Sequence, residues 1–252
     1  MKIVVIGGTG LIGSKLVAKL REHGHEAVPA APSTGVDTLT GDGLAEALTG
    51  ADVVVDVSNS PSFADDPVMH FFRTSTTNIL AAEKQAGVGQ HVALSVVGTE
   101  RLTDSGYFRA KLVQEQLIKD SGVPYSIVHA TQFFEFVGGI ADEATHGDTV
   151  RLSNALIQPM ASEDVAAAVG RIAVGAPLNG TAEVGGPEQF GVDEFVRTAL
   201  TFRGDPRNVV TDPEARYWGV LLNKDTLLPG PGAQLAATRL ADWLPLNPPP
   251  AK

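Results

Sequence analysis

A glycine-rich segment near the start of the chain constrains the fold more than any other feature. Lys2–Ile6 is a short, mostly β-branched run without a polar face, which is typical of a strand buried on both sides of a parallel sheet. Gly7, Gly10 and Gly13 follow directly in a G-x-x-G-x-x-G pattern. Apolar residues then recur over residues 11–20 at the spacing of one helix face. The sequence therefore predicts a buried strand, a tight turn and a helix in immediate succession.

Strand and helix patterns alternate through the first half of the chain. The predicted strands are Lys2–Ile6, Glu26–Ala30, 51–57, 91–97 and 124–129. The predicted helices are 11–20, 43–48, 67–86 and 107–120. Such an alternation is typical of a doubly wound α/β fold, in which helices cover both faces of a parallel, Rossmann-like sheet.

The pattern loosens after residue 130. There we predict helices at 131–145, 163–174, Val192–Phe202 and 235–244, and short strands at Thr149–Leu152, 155–159 and 182–184. We expect a single domain over residues 1–244, with a small C-terminal lobe built from about residues 131–244. The proline-rich residues 245–252 are expected to form a frayed tail, because proline does not sustain a helix.

The position of the glycine segment between strand and helix predicts a dinucleotide site. The first glycine allows the tight turn, the second lets a pyrophosphate approach the backbone, and the third lets helix and strand pack closely. The N–H groups and the partial positive charge at the helix start favour the phosphates. The predicted phosphate-binding set is Gly7, Thr9, Gly10, Leu11, Ile12 and Gly13.

The residues after the second strand bear on the choice of nucleotide. A site for NAD usually has a carboxylate about 20 residues beyond the glycine loop, where it binds the ribose hydroxyls. Residues 29–34 contain no acid, and Asp37 comes a few residues late. Ser33 and Thr34 could donate hydrogen bonds to a 2′-phosphate, although no Lys or Arg is present there. The sequence favours NADP as the cofactor, with NAD as the alternative.

Three further residues form a candidate catalytic set. Tyr107 and Lys111 are four residues apart, so both side chains lie on one face of the predicted helix. The ammonium group is expected to lower the pKa of the phenol, which then exchanges a proton with a carbonyl or an alcohol. Ser95, near the end of the preceding strand, is expected to polarise the same oxygen.

These residues resemble the short-chain dehydrogenase/reductase superfamily. The match comprises the glycine pattern, Asp42, Asn78, Ser95 and the Tyr107-x-x-x-Lys111 pair, and it is most similar to the extended and atypical NmrA-like and NAD(P)H-binding branches. Further similar segments are KLVQEQLIKDSGVPYSIVHATQFFEF and the Gln158-Pro159 to Ala166 stretch. The resemblance covers residues 1 to about 203.

The resemblance implies a role for several residues. Asp42 is expected beside the adenine, and Val57 and Ser58 along the cofactor. Asn78 is expected to support the active site, and Lys111 also to hold the nicotinamide ribose. One departure is that His129-Ala130 stands where the family has Arg-Pro.

The expected function is NAD(P)-dependent oxidation or reduction of a small alcohol or carbonyl compound. The C-terminal lobe is expected to bind the substrate, with His129 and Phe133 as candidate contacts. Two alternatives remain open. One is a non-catalytic, NmrA-like regulator that senses NAD(P); the other is an NAD-dependent sugar-nucleotide epimerase or dehydratase.

Composition excludes several other classes. Lys and Arg number 19 and Asp and Glu 29, and the net charge of −10 disfavours nucleic acid or anionic membranes as the main partner. The absence of cysteine excludes disulfides and thiol catalysis, and no histidine pair has a metal-ligand spacing, so we expect no metal. Glycines interrupt the apolar N-terminal run, which is unlike a signal peptide. We therefore expect a soluble, cytoplasmic protein with a small-molecule substrate, and a homodimer is compatible with the sequence.

Overall fold

The computed structural model describes residues 1–248. The helices are α1 (Leu11–Glu22), α2 (Leu44–Leu48), α3 (Asp65–Ala86), α4 (Gly106–Asp120), α5 (Val137–Glu143), α6 (Ser162–Ala173), α7 (Val192–Phe202) and α8 (Leu240–Leu246). The strands are β1 (Lys2–Ile6), β2 (Glu26–Ala30), β3 (Val53–Asp56), β4 (Gln90–Val96), β5 (Tyr125–Ala130), β6 (Thr145–His146), β7 (Thr149–Leu152), β8 (Leu156–Ile157), β9 (Gly180–Gly185), β10 (Phe190–Gly191), β11 (Asn208–Thr211), β12 (Arg216–Tyr217), β13 (Val220–Leu221) and β14 (Gln234–Leu235). None of the helices in this part of the chain is long and apolar enough to cross a membrane.

A seven-stranded, mostly parallel sheet organises the fold. Its strand order is β14-β9-β5-β4-β3-β1-β2. β1 pairs in parallel with β2 and with β3, and β3 pairs in parallel with β4. The chain thus winds outward from β1 in both directions, and the carboxyl ends of β1 and β3 form the switch point where ligands bind in such sheets. The doubly wound α/β fold predicted from the sequence is confirmed.

The chain divides into two compact units. Unit 1 contains Met1–His129 and Val165–Ala182, and unit 2 contains Ala130–Asp164 and the described residues from Glu183 onward. The division begins close to the expected start of the C-terminal lobe, but it assigns most of α6 to unit 1.

In unit 1, the apolar residues of the sheet are covered by helices. One buried cluster joins β1, β3, α2 and α3, and includes Val4, Val54, Leu48 and Ile79. A second joins α3, β4, α4 and β5 through Leu80, Ala93, Ile118 and Ile127. Strands buried in this way explain why the sequence shows continuous β-branched runs instead of alternation.

Unit 2 has its own small core and three short sheets. The ring of Phe134 lies 6.2 Å from that of Phe195 and 5.4 Å from that of Trp243, measured between centroids. The short sheets are β10-β8, β11-β7-β6 and β12-β13. Their strands of two to four residues explain why the sequence pattern loosens after residue 130.

The predicted helix at 131–145 is partly wrong. Residues 131–133 are extended, Phe134–Phe136 forms a 3₁₀ turn, and the α-helix begins only at Val137. The physical reason is a bridge to a distant segment, in which Met160 N–H donates to the carbonyl of Gln132 and Phe134 N–H to that of Met160. These hydrogen bonds replace the local ones that a helix would need at this point.

The predicted end of the chain also differs. Residues 234–235 form β14, and the last helix begins at Leu240, whose N–H donates to the carboxylate of Glu188. The helix includes Pro245 and ends at Leu246, so the expected tail starts too early. Proline in a final turn removes a single backbone hydrogen bond and has a helical φ, which explains its tolerance there. Residues 249–252 of the expected tail lie outside the described residues.

Candidate active site

The glycine loop connects β1 to α1 at the switch point. Gly7 has a φ of +76°, and a Cβ at Gly13 would lie 2.1 Å from the carbonyl oxygen of Gly7. A Cβ at Gly8 would lie 2.6 Å from the Cα of Pro29. At Gly10, by contrast, a Cβ would meet a single atom, the Gly7 oxygen at 3.3 Å. The fold itself therefore requires three of the glycines, while the space at Gly10 is open for a ligand.

The N-terminus of α1 is suited to an anion. Gly10 is its N-cap and supplies no side-chain hydrogen bond, and the first turn contains no acidic residue. Lys19 and Arg21 lie in the last turn, where they complement the negative end of the helix dipole. The N–H groups of the first turn and the positive end of the dipole are thus directed at the exposed glycine loop. Thr9 and Leu11 on this loop are exposed, and Ile12 is buried in the core.

The carboxyl end of β3 lies against this loop. A Cβ at Gly7 would lie 2.9 Å from the backbone N and Cα of Ser58, which shows how closely the two segments approach. Both the N–H and the hydroxyl of Ser58 donate to Oδ1 of Asp56, at 2.9 and 2.6 Å. The N–H of Val57 donates to the carbonyl of Ile6. The structure thus brings Val57 and Ser58 together with the glycine loop.

The turn after β2 approaches the same loop through Ser33. Its hydroxyl lies 3.5 Å from that of Thr9. Thr34, the second expected phosphate ligand, is used inside the turn, because its Oγ1 accepts from the N–H of Ala31 and donates to the carbonyls of Ala31 and Pro29. The carboxylate of Asp37, which comes a few residues after the usual position, accepts hydrogen bonds from the N–H groups of Leu39 and Thr40. It therefore stabilises its own loop.

Asn78 contacts a different segment from the one expected. Its side-chain amide on α3 donates to the carbonyls of Thr38 and Leu39, at 2.9 and 3.0 Å. It therefore fixes the loop that carries Asp42, instead of contacting Tyr107 or Lys111. The backbone N–H of Asp42 donates to the hydroxyl of Thr40. The side chain of Asp42 is exposed, and its expected place beside the adenine stays a prediction.

Lys111 projects from α4 into the interior of unit 1. Its side chain is 2% exposed. The ammonium donates to the carbonyl of Leu94 at 2.9 Å and to the side-chain oxygen of Gln114, and it lies 4.5 Å from the centroid of the Phe72 ring. Burial lowers the pKa of Lys111 to about 8, against the opposing effects of Asp56 and Glu115. The group is charged at neutral pH and close to its titration range.

This pKa predicts a pH dependence of stability. Between about pH 8 and pH 10.5 the unfolded chain holds a proton on Lys111 that the folded chain has released. The free energy of unfolding should therefore rise with pH across this window, by about 3 kcal/mol in total. Lys111→Met should flatten the rise in denaturant titrations. Lys119→Met, which removes a 39% exposed lysine from the same helix, should leave it intact; parallel curves for Lys111→Met and wild type would contradict the prediction.

Tyr107 lies in a cluster of aromatic rings. Its ring centroid is 5.4 Å from that of Phe63, 6.0 Å from Phe72 and 5.3 Å from Phe108. Burial among these rings raises the pKa of Tyr107 above its usual value. The lowered pKa predicted from the sequence is therefore wrong, because loss of hydration outweighs any effect of the nearby ammonium. Within residues 1–248, no side chain or backbone group hydrogen-bonds the hydroxyl.

Ser95 is engaged differently from the expected way. Its hydroxyl is buried and donates to Oε1 of Glu115 at 2.6 Å. The same oxygen lies 2.8 Å from Nε2 of His129. Burial alone would raise the pKa of Glu115, but hydrogen bonds from His129 and Ser95 hold it below its usual range. The hydroxyl proton of Ser95 is thus donated to a carboxylate, and the expected role of Ser95 in polarising a substrate oxygen would require it to exchange that partner.

The two candidate substrate residues fall in different surroundings. His129, at the carboxyl end of β5, is paired with Glu115 and its side chain is 10% exposed. Phe133 belongs to unit 2, where its partly exposed ring stacks on that of Phe136 at 5.2 Å. His129 therefore acts first as the partner of a buried carboxylate.

Sequence reasoning missed Asp56 and Gln114 and assigned no role to Glu115. All three are buried, and Gln114 donates to Oδ2 of Asp56 at 3.0 Å. Gln114 and Glu115 follow Lys111 by three and four residues, so they share its helix face. The sequence did contain a signal for Gln114 and Glu115, because polar residues on a helix face that packs against a sheet need buried partners.

The sequence is similar to a known protein family and to several named proteins. A family model described as NAD(P)H-binding matches residues 7–173, which is more than half of the chain. A (4-alkanoyl-5-oxo-2,5-dihydrofuran-3-yl)methyl phosphate reductase of Streptomyces griseus is 29% identical over 81% of this chain and 74% of its own. The photosystem II assembly factor Ycf39 of Cyanophora paradoxa is 26% identical over 54% of this chain, and the match spans only 46% of that protein.

Solved structures share the fold at low sequence identity. MoeE5 in complex with UDP-glucose and NAD superposes with a TM-score of 0.75 at 19% identity, over 97% of this chain and 96% of that one. The dTDP-4-dehydrorhamnose reductase of Bacillus anthracis in complex with NADP gives a TM-score of 0.69 at 14% identity, over 89% and 90% of the two chains. Together with the glycine loop, the matched residues establish that this chain belongs to the NAD(P)H-binding family.

Proposed function

We propose that the protein is an NAD(P)-dependent oxidoreductase that reduces the carbonyl group of a small molecule. The observation that carries this proposal is the pairing of Tyr107 and Lys111 on one face of α4, where both contact the ring of Phe72. A nucleotide sensor has no need of a phenol and an ammonium group in this arrangement. The proposal therefore rests on chemistry-bearing side chains and not on the fold alone.

The loop fits the cofactor for reasons internal to this chain. The open space at Gly10 and the uncapped N-terminus of α1 suit a pyrophosphate. Val57 and Ser58 would line the cofactor beside this loop. To hold the ribose nearest the nicotinamide, the buried Lys111 ammonium would exchange the Leu94 carbonyl or the Gln114 oxygen for a ribose hydroxyl. When bound, the nicotinamide supplies the hydride that reduces the carbonyl carbon.

The protein supplies the proton. In the proposed mechanism the Tyr107 hydroxyl donates its proton to the carbonyl oxygen as that oxygen becomes an alkoxide. Burial raises the pKa of Tyr107, so the phenol is protonated at neutral pH, as a proton donor for carbonyl reduction must be. Ser95 has no direct part in this proton transfer, because its hydroxyl donates a hydrogen bond to Glu115.

A reductase assay tests the proposal. Purified protein would be incubated with NADPH or NADH and a panel of aldehydes, ketones and unsaturated lactones, and nicotinamide oxidation would be followed by absorbance. We expect turnover of at least one carbonyl class. Tight nucleotide binding with no turnover across the panel would contradict the proposal.

For the nucleotide we propose NADP. The support is the lack of a carboxylate in the turn after β2 and the exposed hydroxyl of Ser33 beside Thr9. A turn with these two features does not repel the 2′-phosphate of NADP, and it lacks the carboxylate that usually binds the ribose hydroxyls of NAD. NAD remains compatible with the family, since its structural relatives bind either nucleotide.

Ser33→Asp should reverse this preference. A carboxylate here would repel the 2′-phosphate and accept from the ribose hydroxyls, so we expect NADPH affinity to fall by at least about tenfold, or about 1.4 kcal/mol, with NADH affinity unchanged or improved. Ser33→Ala, which removes a hydrogen bond without adding charge, should cause a smaller loss. Calorimetric titration measures both. A wild type that already prefers NADH would contradict the choice of NADP.

A non-catalytic regulator is the second candidate. The observation in its favour is that two of the matched relatives, from Cyanophora paradoxa and Synechocystis, carry the name of photosystem II assembly factor. This function predicts nucleotide-dependent binding to a protein partner that is insensitive to Tyr107→Phe. The reductase assay with both proteins separates the two functions.

A further inference from the structure

A continuous chain of buried hydrogen bonds runs from α4 to the carboxyl end of β3. The ammonium of Lys111 donates to the side-chain oxygen of Gln114. The amide nitrogen of Gln114 donates to Oδ2 of Asp56 at 3.0 Å. Oδ1 of Asp56 accepts both hydrogen bonds from Ser58. Residues 58 positions apart are thereby connected.

The direction of this chain is fixed by chemistry. An ammonium group only donates hydrogen bonds and a carboxylate only accepts them, whereas the Gln114 amide does both. Turning the amide over would set its N–H groups against Lys111 and its oxygen against Asp56, so one orientation is strongly preferred. Lys111 is 2% exposed, and Gln114 and Asp56 are each 1% exposed, so water cannot replace the lost bonds.

We propose that Gln114 and Asp56 are positioning residues that hold the Lys111 ammonium in place and join it to Ser58 at the cofactor-facing edge of β3. This inference rests on the proposed role of Lys111 and deepens it. Gln114 is hydrogen-bonded to both Lys111 and Asp56. The carboxylate of Asp56 also accepts hydrogen bonds from the N–H and the hydroxyl of Ser58. One buried carboxylate thus fixes a segment beside the glycine loop and, through an amide, the charge that serves Tyr107.

Other groups also act on the Lys111 charge. These are the carbonyl of Leu94 on β4, the ring of Phe72 on α3, Glu115 on α4 and Asp56 on β3. Asp56 also acts on His91 of β4, which is hydrogen-bonded to Glu83 of α3. Of these, Asp56 and Glu115 favour the charged form of the lysine. Glu115 is also hydrogen-bonded to His129 and Ser95, whereas Asp56 is hydrogen-bonded to Gln114, which accepts from Lys111.

The test is the titration of Lys111 in variants that change the chain in opposite senses. Lysine side chains would be labelled for NMR in nucleotide-free protein, and the Lys111 signal assigned with Lys111→Met. Asp56→Asn removes a negative charge and Gln114→Leu removes the amide, so each should lower the titration midpoint by about one pH unit. Adding Gln114→Glu to Asp56→Asn places a carboxylate beside the ammonium, with an amide at position 56 to donate to it, and should raise the midpoint again. The pH above which nucleotide affinity falls should move in the same directions.

A matched control separates positioning from simple structural support. Gln90→Leu removes a buried amide that donates to the hydroxyl of Ser126 at 3.0 Å, and it should lower stability without moving the Lys111 midpoint. A lower midpoint in Asp56→Asn and in Gln114→Leu, raised again when Gln114→Glu is added to Asp56→Asn, supports the proposal. It is overturned if the folded variants, checked by circular dichroism, keep the wild-type midpoint, or if the double variant keeps the midpoint of Asp56→Asn. Since neither readout needs turnover, failure of the reductase assay is a separate result.

Discussion

Tyr107→Phe is expected to lower kcat by about 10²–10⁴-fold, the usual contribution of a positioned proton donor. The substitution removes the hydroxyl and leaves the ring, which packs against Phe63, Phe72 and Phe108. Nucleotide affinity and stability should therefore stay close to wild type. Steady-state kinetics with the substrate found in the carbonyl panel, together with calorimetry for the nucleotide, measure both quantities.

Ser95→Ala provides the comparison. It removes another hydroxyl from unit 1, but one that donates to Glu115, so the main expected cost is in stability, about 1–3 kcal/mol. The decrease in kcat should be much smaller than for Tyr107→Phe. If Tyr107→Phe keeps the wild-type kcat, the residue has no part in proton transfer; if Ser95→Ala matches its loss, the serine acts directly.

The pH profile of kcat/KM adds a further expectation for the same pair. Activity should fall as pH rises through about 8, since Lys111 then loses its proton. The Tyr107 pKa lies higher, because burial raises it, so the lysine and not the phenol should set the basic limb in the free enzyme.

Gly10→Val is expected to abolish nucleotide binding while leaving the fold intact. The space next to Gly10 contains one protein atom within 4 Å of a Cβ position, the Gly7 oxygen at 3.3 Å. A branched side chain there would occupy the room where a pyrophosphate meets the start of α1. Gly10 has an ordinary backbone φ of −80°, and the Gly7 oxygen has to move by only a few tenths of an ångström. We therefore expect an unchanged circular dichroism spectrum and a smaller drop in melting temperature than for Gly13→Ala.

Gly13→Ala is the informative control. Its Cβ would lie 2.1 Å from the Gly7 oxygen and 2.7 Å from the Cα of Gly8, so the loop or α1 must move and the melting temperature should drop. Loss of binding in Gly13→Ala would thus accompany loss of stability, whereas Gly10→Val should separate the two. Unchanged nucleotide affinity in Gly10→Val would remove the glycine loop from the binding site.

The unit 1 fold could be predicted closely from the sequence because its signals are local. β1 and β2 have the bounds predicted from their apolar runs, and α3 ends at Gly87, which has the left-handed φ of +70° expected of a C-cap glycine. In unit 2 the decisive contacts are distant. The bridge to Met160 keeps residues 131–133 extended, and no pattern within that segment reports it.

The candidate site shows the same difference between local signals and distant contacts. The four-residue spacing of Tyr107 and Lys111 correctly placed them on one helix face. The environment of the candidate catalytic residues depends on residues distant in sequence. Burial beside Phe63 and Phe72 reverses the expected pKa shift of Tyr107, and Glu115 accepts the hydrogen bond of Ser95. A motif of two residues contains no information about the residues that surround it in the fold.

The uneven demands on the loop glycines have an evolutionary consequence. Substitution at Gly7, Gly8 or Gly13 is selected against by folding alone, in any descendant of this chain. Gly10 is under a weaker constraint, a single contact at 3.3 Å from a Cβ to the Gly7 oxygen, so a lineage released from nucleotide binding can lose that one glycine first and keep a folded scaffold. Among descendants, the residue at position 10 therefore records whether the nucleotide is still in use, and the other three record only that the chain still folds.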